Sequence, residues 1–281
     1  MDYTASEQLG QDTVLIGVKH FDLAQTLDCG QAFRWGTSGD GFTGIAHGRR
    51  LELMFSDGKL IFKNVKLKEF ETVWKAYFDF DRNYSELRKQ FTSAGGEKLV
   101  EAMEFSPGLR LMRQDVWETL ISFILSQNSN IPRIKKMINT LCEAFGTPLP
   151  CGGYTFPAPE VLANLNAEAL APVRCGYRAE YIIDAARRTA DGRFNPATLE
   201  DMATDEVKHA LLTIHGVGSK VADCVLLYGF GRVEVYPIDV WIKRVMAALY
   251  PAGFPEGLRD SAGIAQQFLF HYARMNKEKF I

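Results

Sequence analysis

Lys220 and Asp239 are the residues whose setting most suggests covalent chemistry. Lys220 belongs to LLTIHGVGSKVADCVLLYGF, residues 211 to 230, and Asp239 to VEVYPIDVWIKR, residues 233 to 244. The first segment reads as helix, glycine hairpin, helix. Gly216 and Gly218 bracket Val217 in a turn that needs backbone freedom and leaves amide N–H groups unhindered at the start of the next helix. The helix dipole there favours an anion such as a phosphate. Lys220 falls on the first turn of that helix among Val221, Ala222, Cys224 and Val225, and burial among apolar neighbours lowers a lysine pKa toward nucleophilic use. Asp239 follows Pro237 and Ile238 and opens VWIKRVMAALY, so it can cap a helix and remain ionised. A plainer reading of the pair stays open at this point: a lysine that touches a phosphate and an aspartate that only caps.

The elements around them predict an α+β protein. The N-terminal third alternates with period two in FTGIAH, RLELMF and KLIFK, with SDG as a tight turn between the last two, which predicts an antiparallel sheet. A helix, LKEFETVWKAYF, is expected to pack beside it. From about residue 106 the period becomes helical, in DVWETLISFILSQ, PRIKKMINTLCEAFG, APEVLANL, AEYIIDAARRTAD and DEVKHALLTI, followed by the hairpin and two further helices. The Pro/Gly-rich stretch GTPLPCGGYTFPAP reads as a loop inside the helical part. The expected division is a sheet domain at 1–105 and a helical body at 106–281, with the helix-hairpin-helix at about 205–230.

Composition narrows the classes. The chain has 281 residues, 47% of them hydrophobic and 23% charged, which suits a globular protein with a sizeable core and excludes disordered and collagen-like chains. No apolar run is long enough for a membrane span, and the N-terminus lacks the order of a signal peptide, so a cytoplasmic protein is expected. Cys29, Cys142, Cys151, Cys175 and Cys224 are odd in number and include no CxxC pair, which argues against a disulfide framework and a tetrahedral zinc site. The formal net charge of −2 gives no support to binding a polyanion. Residues 1 to 105 carry 13 basic and 16 acidic side chains and residues 106 to 281 carry 19 and 18, so any nucleic-acid contact must rest on a local basic surface supplemented by backbone amides.

HGVGSKVADC with the downstream PIDV resembles the lysine-bearing helix-hairpin-helix (HhH-GPD) DNA glycosylases, specifically the 8-oxoguanine DNA glycosylase family. The resemblance extends in order to LDCGQAFRW at 27 to 35, RLMRQDVWETLISFILSQNSNIPRI at 110 to 134, CGYRAEY at 175 to 181 and IAQQFLF at 264 to 270. It implies excision of 8-oxoguanine from double-stranded DNA, preferentially opposite cytosine, and strand cleavage by β-elimination through a lysine Schiff base. Lys220 would be the nucleophile and Asp239 its partner. Cys224 and Phe270 would wall the flipped base, Gln266 would read its pairing edge, and the Gly30 carbonyl would accept the N7 hydrogen that 8-oxoguanine has and guanine lacks. Asn128, Arg133 and Arg178 would donate to the orphaned cytosine, Tyr177 would fill the stack, and Gly216 and Gly218 would hold the backbone. Gln266 and Phe270 share a helical face at i and i+4, which by itself fits ordinary packing as well.

The cysteine spacing leaves no place for the iron–sulfur cluster of some lysine-bearing superfamily members, and no redox or metal cofactor is expected, although the resemblance further suggests a structural cation held by carbonyls of the hairpin. One departure stands out: Trp241 occupies the position, two residues after the aspartate, where eukaryotic relatives have histidine. Without a basic nuclear-targeting tail after IAQQFLF, a bacterial or archaeal origin and a cytoplasmic location are expected; separately, the protein is expected to be a monomer. The competing readings are an alkylpurine DNA glycosylase of the same superfamily, against which Lys220 speaks, and a non-catalytic helix-hairpin-helix DNA-binding module. The latter leaves Gln266 and Phe270 without purpose.

Overall fold

A computed structural model describes residues 1–280. Six strands come first: β1 (Ala5–Leu9), β2 (Asp12–Ile16), then, after α1 (Leu23–Leu27), β3 (Trp35–Ser38), β4 (Gly41–Ala46), β5 (Arg49–Ser56) and β6 (Lys59–Lys63). They form one sheet in the order β1-β2-β6-β5-β4-β3, every pair antiparallel. In β5 the alternation does what the sequence implies, with Leu51 and Leu53 buried and Arg50 and Glu52 facing out. Between β5 and β6, Asp57 and Gly58 both have positive φ, 51° and 72°, the two-residue turn whose twist matches that of the flanking strands. Strands β1, β2 and β3 were not foreseen. The first, ASEQL, is an exposed edge strand without an apolar alternation to betray it.

The expected helix after β6 is interrupted: α2 (Leu67–Glu69), a π-helical turn (Phe70–Trp74) and α3 (Lys75–Tyr77) follow one another. Phe70, Trp74 and Phe78 recur at four-residue spacing and are fully buried with Leu51, Leu53, Leu60 and Phe62 in a core under the sheet. The helical body follows as α4 (Tyr84–Ala94), α5 (Gly96–Phe105), α6 (Val116–Ser126), α7 (Ile131–Phe145), α8 (Pro159–Ala163), α9 (Arg178–Ala190), α10 (Pro196–Leu199), α11 (Thr204–Leu212), α12 (Ser219–Tyr228), α13 (Val240–Leu249) and α14 (Ala262–Met275). Eight of the eleven residues of α6 are buried, from Thr119 to Leu125 without a break, which makes it a central helix of the body. No helix among the described residues is long and apolar enough to cross a membrane.

Packing divides the chain earlier than the expected boundary after residue 105. Tyr84, Phe91, Leu99 and Met103 of α4 and α5 belong to the helical core, and α5 lies on α14. That partnership is invisible locally because the two helices are far apart in the chain. Cys29 and Phe33 also enter the helical core, which carries the intervening Gly30 into the body. The two parts are pinned by Arg110, whose fully buried guanidinium pairs with Asp2 at 2.9 Å and donates to the carbonyls of Phe78, Asp79 and Arg82. Gln31 completes the junction, donating to Thr26 O and Arg110 O and accepting from Met112 N.

Candidate active site

The hairpin links α11 to α12. Gly216 has φ +79°, and a Cβ there would lie 2.2 Å from the Tyr181 ring, so both conformation and space require glycine. Gly218 differs from expectation. It caps α12 in an extended conformation, φ −95° and ψ 177°, open to any residue. What glycine leaves there is room, since nothing lies within 4 Å of the missing Cβ, in front of the first free amides of α12. Gln127 Nε2 donates to Gly216 O at 3.1 Å and ties the hairpin to the end of α6.

Lys220 projects from the first turn of α12 and Asp239 caps α13, its Oδ1 accepting from Ile242 N at 2.8 Å. The two meet on one cavity of about 640 Å³, together with Gly30, Cys224, Gln266 and Phe270. Half-buried Lys220 holds its ammonium 4.9 Å from the centroid of Phe123, which stacks on Tyr228 at 5.3 Å. A ring face attracts a cation by about 0.5–1 kcal/mol, and this contact directs the amine. Among the described residues neither Lys220 nor Asp239 forms an ion pair, which leaves both free to meet a ligand. Burial pushes the Cys224 thiol up to about 11, so it lines the cavity as a neutral, compact wall. Gln266 is buried; its Nε2 donates to Pro237 O at 3.2 Å while its Oε1 has no partner. An unmet buried acceptor costs about 1–3 kcal/mol, so the cavity is built for a donor at that point. Gly30, φ +94°, has Ile131 Cδ1 within 2.8 Å and Phe270 Cε1 within 3.4 Å of where a Cβ would stand.

A second cavity, of about 610 Å³, shares Lys220 and Asp239 and adds Asn128, Arg133 and Lys243. Here lies the local basic surface that the net charge hides. Asn128 adopts φ +47°, a left-handed conformation that asparagine tolerates. Arg133 is exposed at the start of α7, where Asn130 accepts from its backbone N–H at 3.0 Å. Tyr177 is 53% exposed beside Tyr181, with ring centroids 5.7 Å apart. Arg178 corrects the expectation of a free donor. Buried at 3% exposure, its guanidinium donates to the carbonyls of Gln127, Asn128 and Cys175. It shapes the loop that presents Asn128, and it lines neither cavity. Two features were missed: Ile238 and Val240, 47% and 64% exposed on either side of Asp239, and Arg274 on the cavity wall. Arg274 continues the i, i+4 series of Gln266 and Phe270, which is the signal that could have found it.

A glycine hairpin feeding a lysine, an N-capping aspartate and the cavity they share define a base-excision glycosylase of the helix-hairpin-helix class. Residues 121–255 match the model of the HhH-GPD superfamily of base excision DNA repair proteins, and residues 13–120 that of the 8-oxoguanine DNA glycosylase N-terminal domain. The chain belongs to the 8-oxoguanine DNA glycosylase/lyase family. It is 39% identical over 153 residues to the N-glycosylase/DNA lyase of Saccharomyces cerevisiae, an alignment spanning 49% of this chain and 41% of that one. With the probable N-glycosylase/DNA lyase of Methanothermobacter thermautotrophicus it shares 30% identity over 71% of this chain and 74% of the relative. The 8-oxoguanine glycosylase/lyase of Clostridium acetobutylicum, solved with double-stranded DNA containing cytosine opposite 8-oxoguanine, superposes with a TM-score of 0.91 at 33% identity, over 99% of this chain and 100% of that one.

Proposed function

We propose that this protein removes 8-oxoguanine paired with cytosine from double-stranded DNA and then cleaves the strand 3′ to the abasic site. The convergence of Lys220, Asp239, Gly30, Cys224, Gln266 and Phe270 on one cavity carries the reading. In it, the lesion nucleotide leaves the stack and its base enters between Cys224 and Phe270. Gln266 Oε1 accepts from the pairing edge and the Gly30 carbonyl from the N7 hydrogen. Lys220 Nζ attacks C1′, the bond from C1′ to the base breaks, and the base departs with the bonding pair and takes up a proton. The sugar ring opens to an imine on Lys220, loss of a C2′ proton expels the 3′ phosphate, and water finally frees the amine. Asp239 accepts the amine proton or stabilises the sugar cation.

Across the duplex, Arg133 and Asn128 donate to cytosine, Tyr177 fills the gap, and Arg178 supports Asn128 through its carbonyl. The same reading has the enzyme acting as a monomer on the chromosome in a prokaryotic cytoplasm. Single-turnover assays on 8-oxoguanine:cytosine duplex, with released base and cut strand followed separately, test it. Base release followed by a nick is required; release of alkylated purines alone, without a nick, contradicts it.

A further inference from the structure

The turn from Asp28 to Gln31 has its carbonyls tied down on both sides of Gly30. Arg274 donates from Nη1 to Cys29 O at 3.0 Å and from Nη2 to Asp28 O at 3.3 Å. On the far side Gln114 Nε2 donates to Gln31 O at 2.7 Å. Among the described residues no hydrogen bond reaches the Gly30 carbonyl, although Gly30 lines the cavity. The Cys29 side chain is fixed as well, its sulfur accepting from Gln267 Nε2 at 3.2 Å and Gln31 Nε2 at 3.3 Å. Glycine has the widest choice of backbone angles, so the direction of its carbonyl is decided by whatever holds its neighbours. Arg274 also packs directly on Gly30, with Nη1 2.9 Å from where a Cβ would stand.

We infer that Arg274 is a positioning residue: its two-pronged grip on Asp28 O and Cys29 O aims the Gly30 carbonyl at the base and so sets the preference for 8-oxoguanine over guanine. This rests on the proposed reading of the cavity. The geometry uses the planar fork of arginine, which one ammonium cannot reproduce. Helix α14 then supplies Gln266 and Phe270 directly and the glycine contact at one remove.

The full-length protein tests this as wild type, Arg274→Lys and Arg274→Met. Single-turnover excision is compared on 8-oxoguanine:cytosine and guanine:cytosine duplexes, and strand cleavage on a duplex with a preformed abasic site, which offers no base to read. Both variants should lose about tenfold or more in the lesion-to-guanine ratio, about 1.4 kcal/mol, with cleavage at the abasic site within about twofold of wild type. Arg274→Lys matching wild type while Arg274→Met weakens on every substrate means that charge alone matters, and overturns the inference. Base release and abasic cleavage falling together in both variants also overturns it, by making Arg274 a folding residue. Gln114→Leu loosens the other end of the turn and should narrow the same ratio; an unchanged ratio there counts against the inference even if the arginine variants do not fold. A wild-type protein that releases no 8-oxoguanine sinks the functional reading itself, whereas an active wild type with an unaltered ratio in every variant sinks only the role of Arg274.

Discussion

Asp239 carries two tasks in one carboxylate, and substitution separates them. Asparagine caps helices about as well as aspartate, so Asp239→Asn should keep the fold and most of the DNA affinity. It should slow single-turnover base release by at least about a hundredfold, the lower range for a positioned acid–base group. Unchanged kinetics would leave Asp239 as a cap. Arg133 is exposed on the cavity that shares Lys220 and Asp239, and a good bidentate contact discriminates between bases by about 1–3 kcal/mol. Arg133→Ala should therefore lower excision opposite cytosine far more than opposite adenine or thymine. An equal drop on all pairings, with a shallower salt dependence, would make it a phosphate contact. At this scale legibility followed distance along the chain. The i, i+4 spacing put Gln266 and Phe270 on one helical face and no more; their roles, like that of Gly30 in LDCGQAFRW, rested on the resemblance. The burial of Arg178 under the carbonyls of Gln127 and Asn128 was not readable, because those partners lie in a loop between two other helices.

The elements fix how precisely those side chains meet, and the hairpin shows it most simply. Gly216→Ala would place a Cβ at φ +79° against the Tyr181 ring, combining a left-handed penalty of about 1–2 kcal/mol with overpacking of similar size. A loss of about 2–4 kcal/mol in denaturant unfolding is expected. Gly218→Ala meets neither obstacle and should cost no more than about 1 kcal/mol while weakening DNA binding, because its methyl group occupies the space before the free amides of α12. Equal stability losses in the two variants would contradict this assignment. Strands β4 to β6 were legible because their apolar alternation and the Asp57-Gly58 turn agree; β1 to β3 lacked that pattern. The π-helical turn at Phe70–Trp74 left no mark in the sequence that its helical spacing did not already explain.

On the scale of the whole molecule, the charge that matters appears only on folding. A chain with net charge −2 brings Lys220 and Lys277 to one cavity and adds Arg133 and Lys243 around the other. Stability should also depend on pH through α14. Burial, followed by the charge of Arg274, pushes the His271 imidazole down to about 4, and its Nδ1 has no partner. The unfolded chain therefore binds this proton more readily than the native one between the ordinary histidine range and about pH 4, and stability present above about 6.5 is lost as pH falls. Between pH 7.5 and 5 the loss from this residue should reach about 2 kcal/mol; His271→Leu should flatten that limb, and an unaltered slope in urea unfolding would remove His271 as its source.

The central claim is that one amine, Lys220, joins the sugar. Borohydride reduction during turnover of an 8-oxoguanine:cytosine duplex, with peptide mapping of the adduct, tests it most directly. A single covalent adduct on Lys220 is predicted, absent in Lys220→Gln, while affinity for the lesion duplex stays within about tenfold, about 1.4 kcal/mol. An adduct on another residue, or base release by Lys220→Gln at near wild-type rate, would contradict the account.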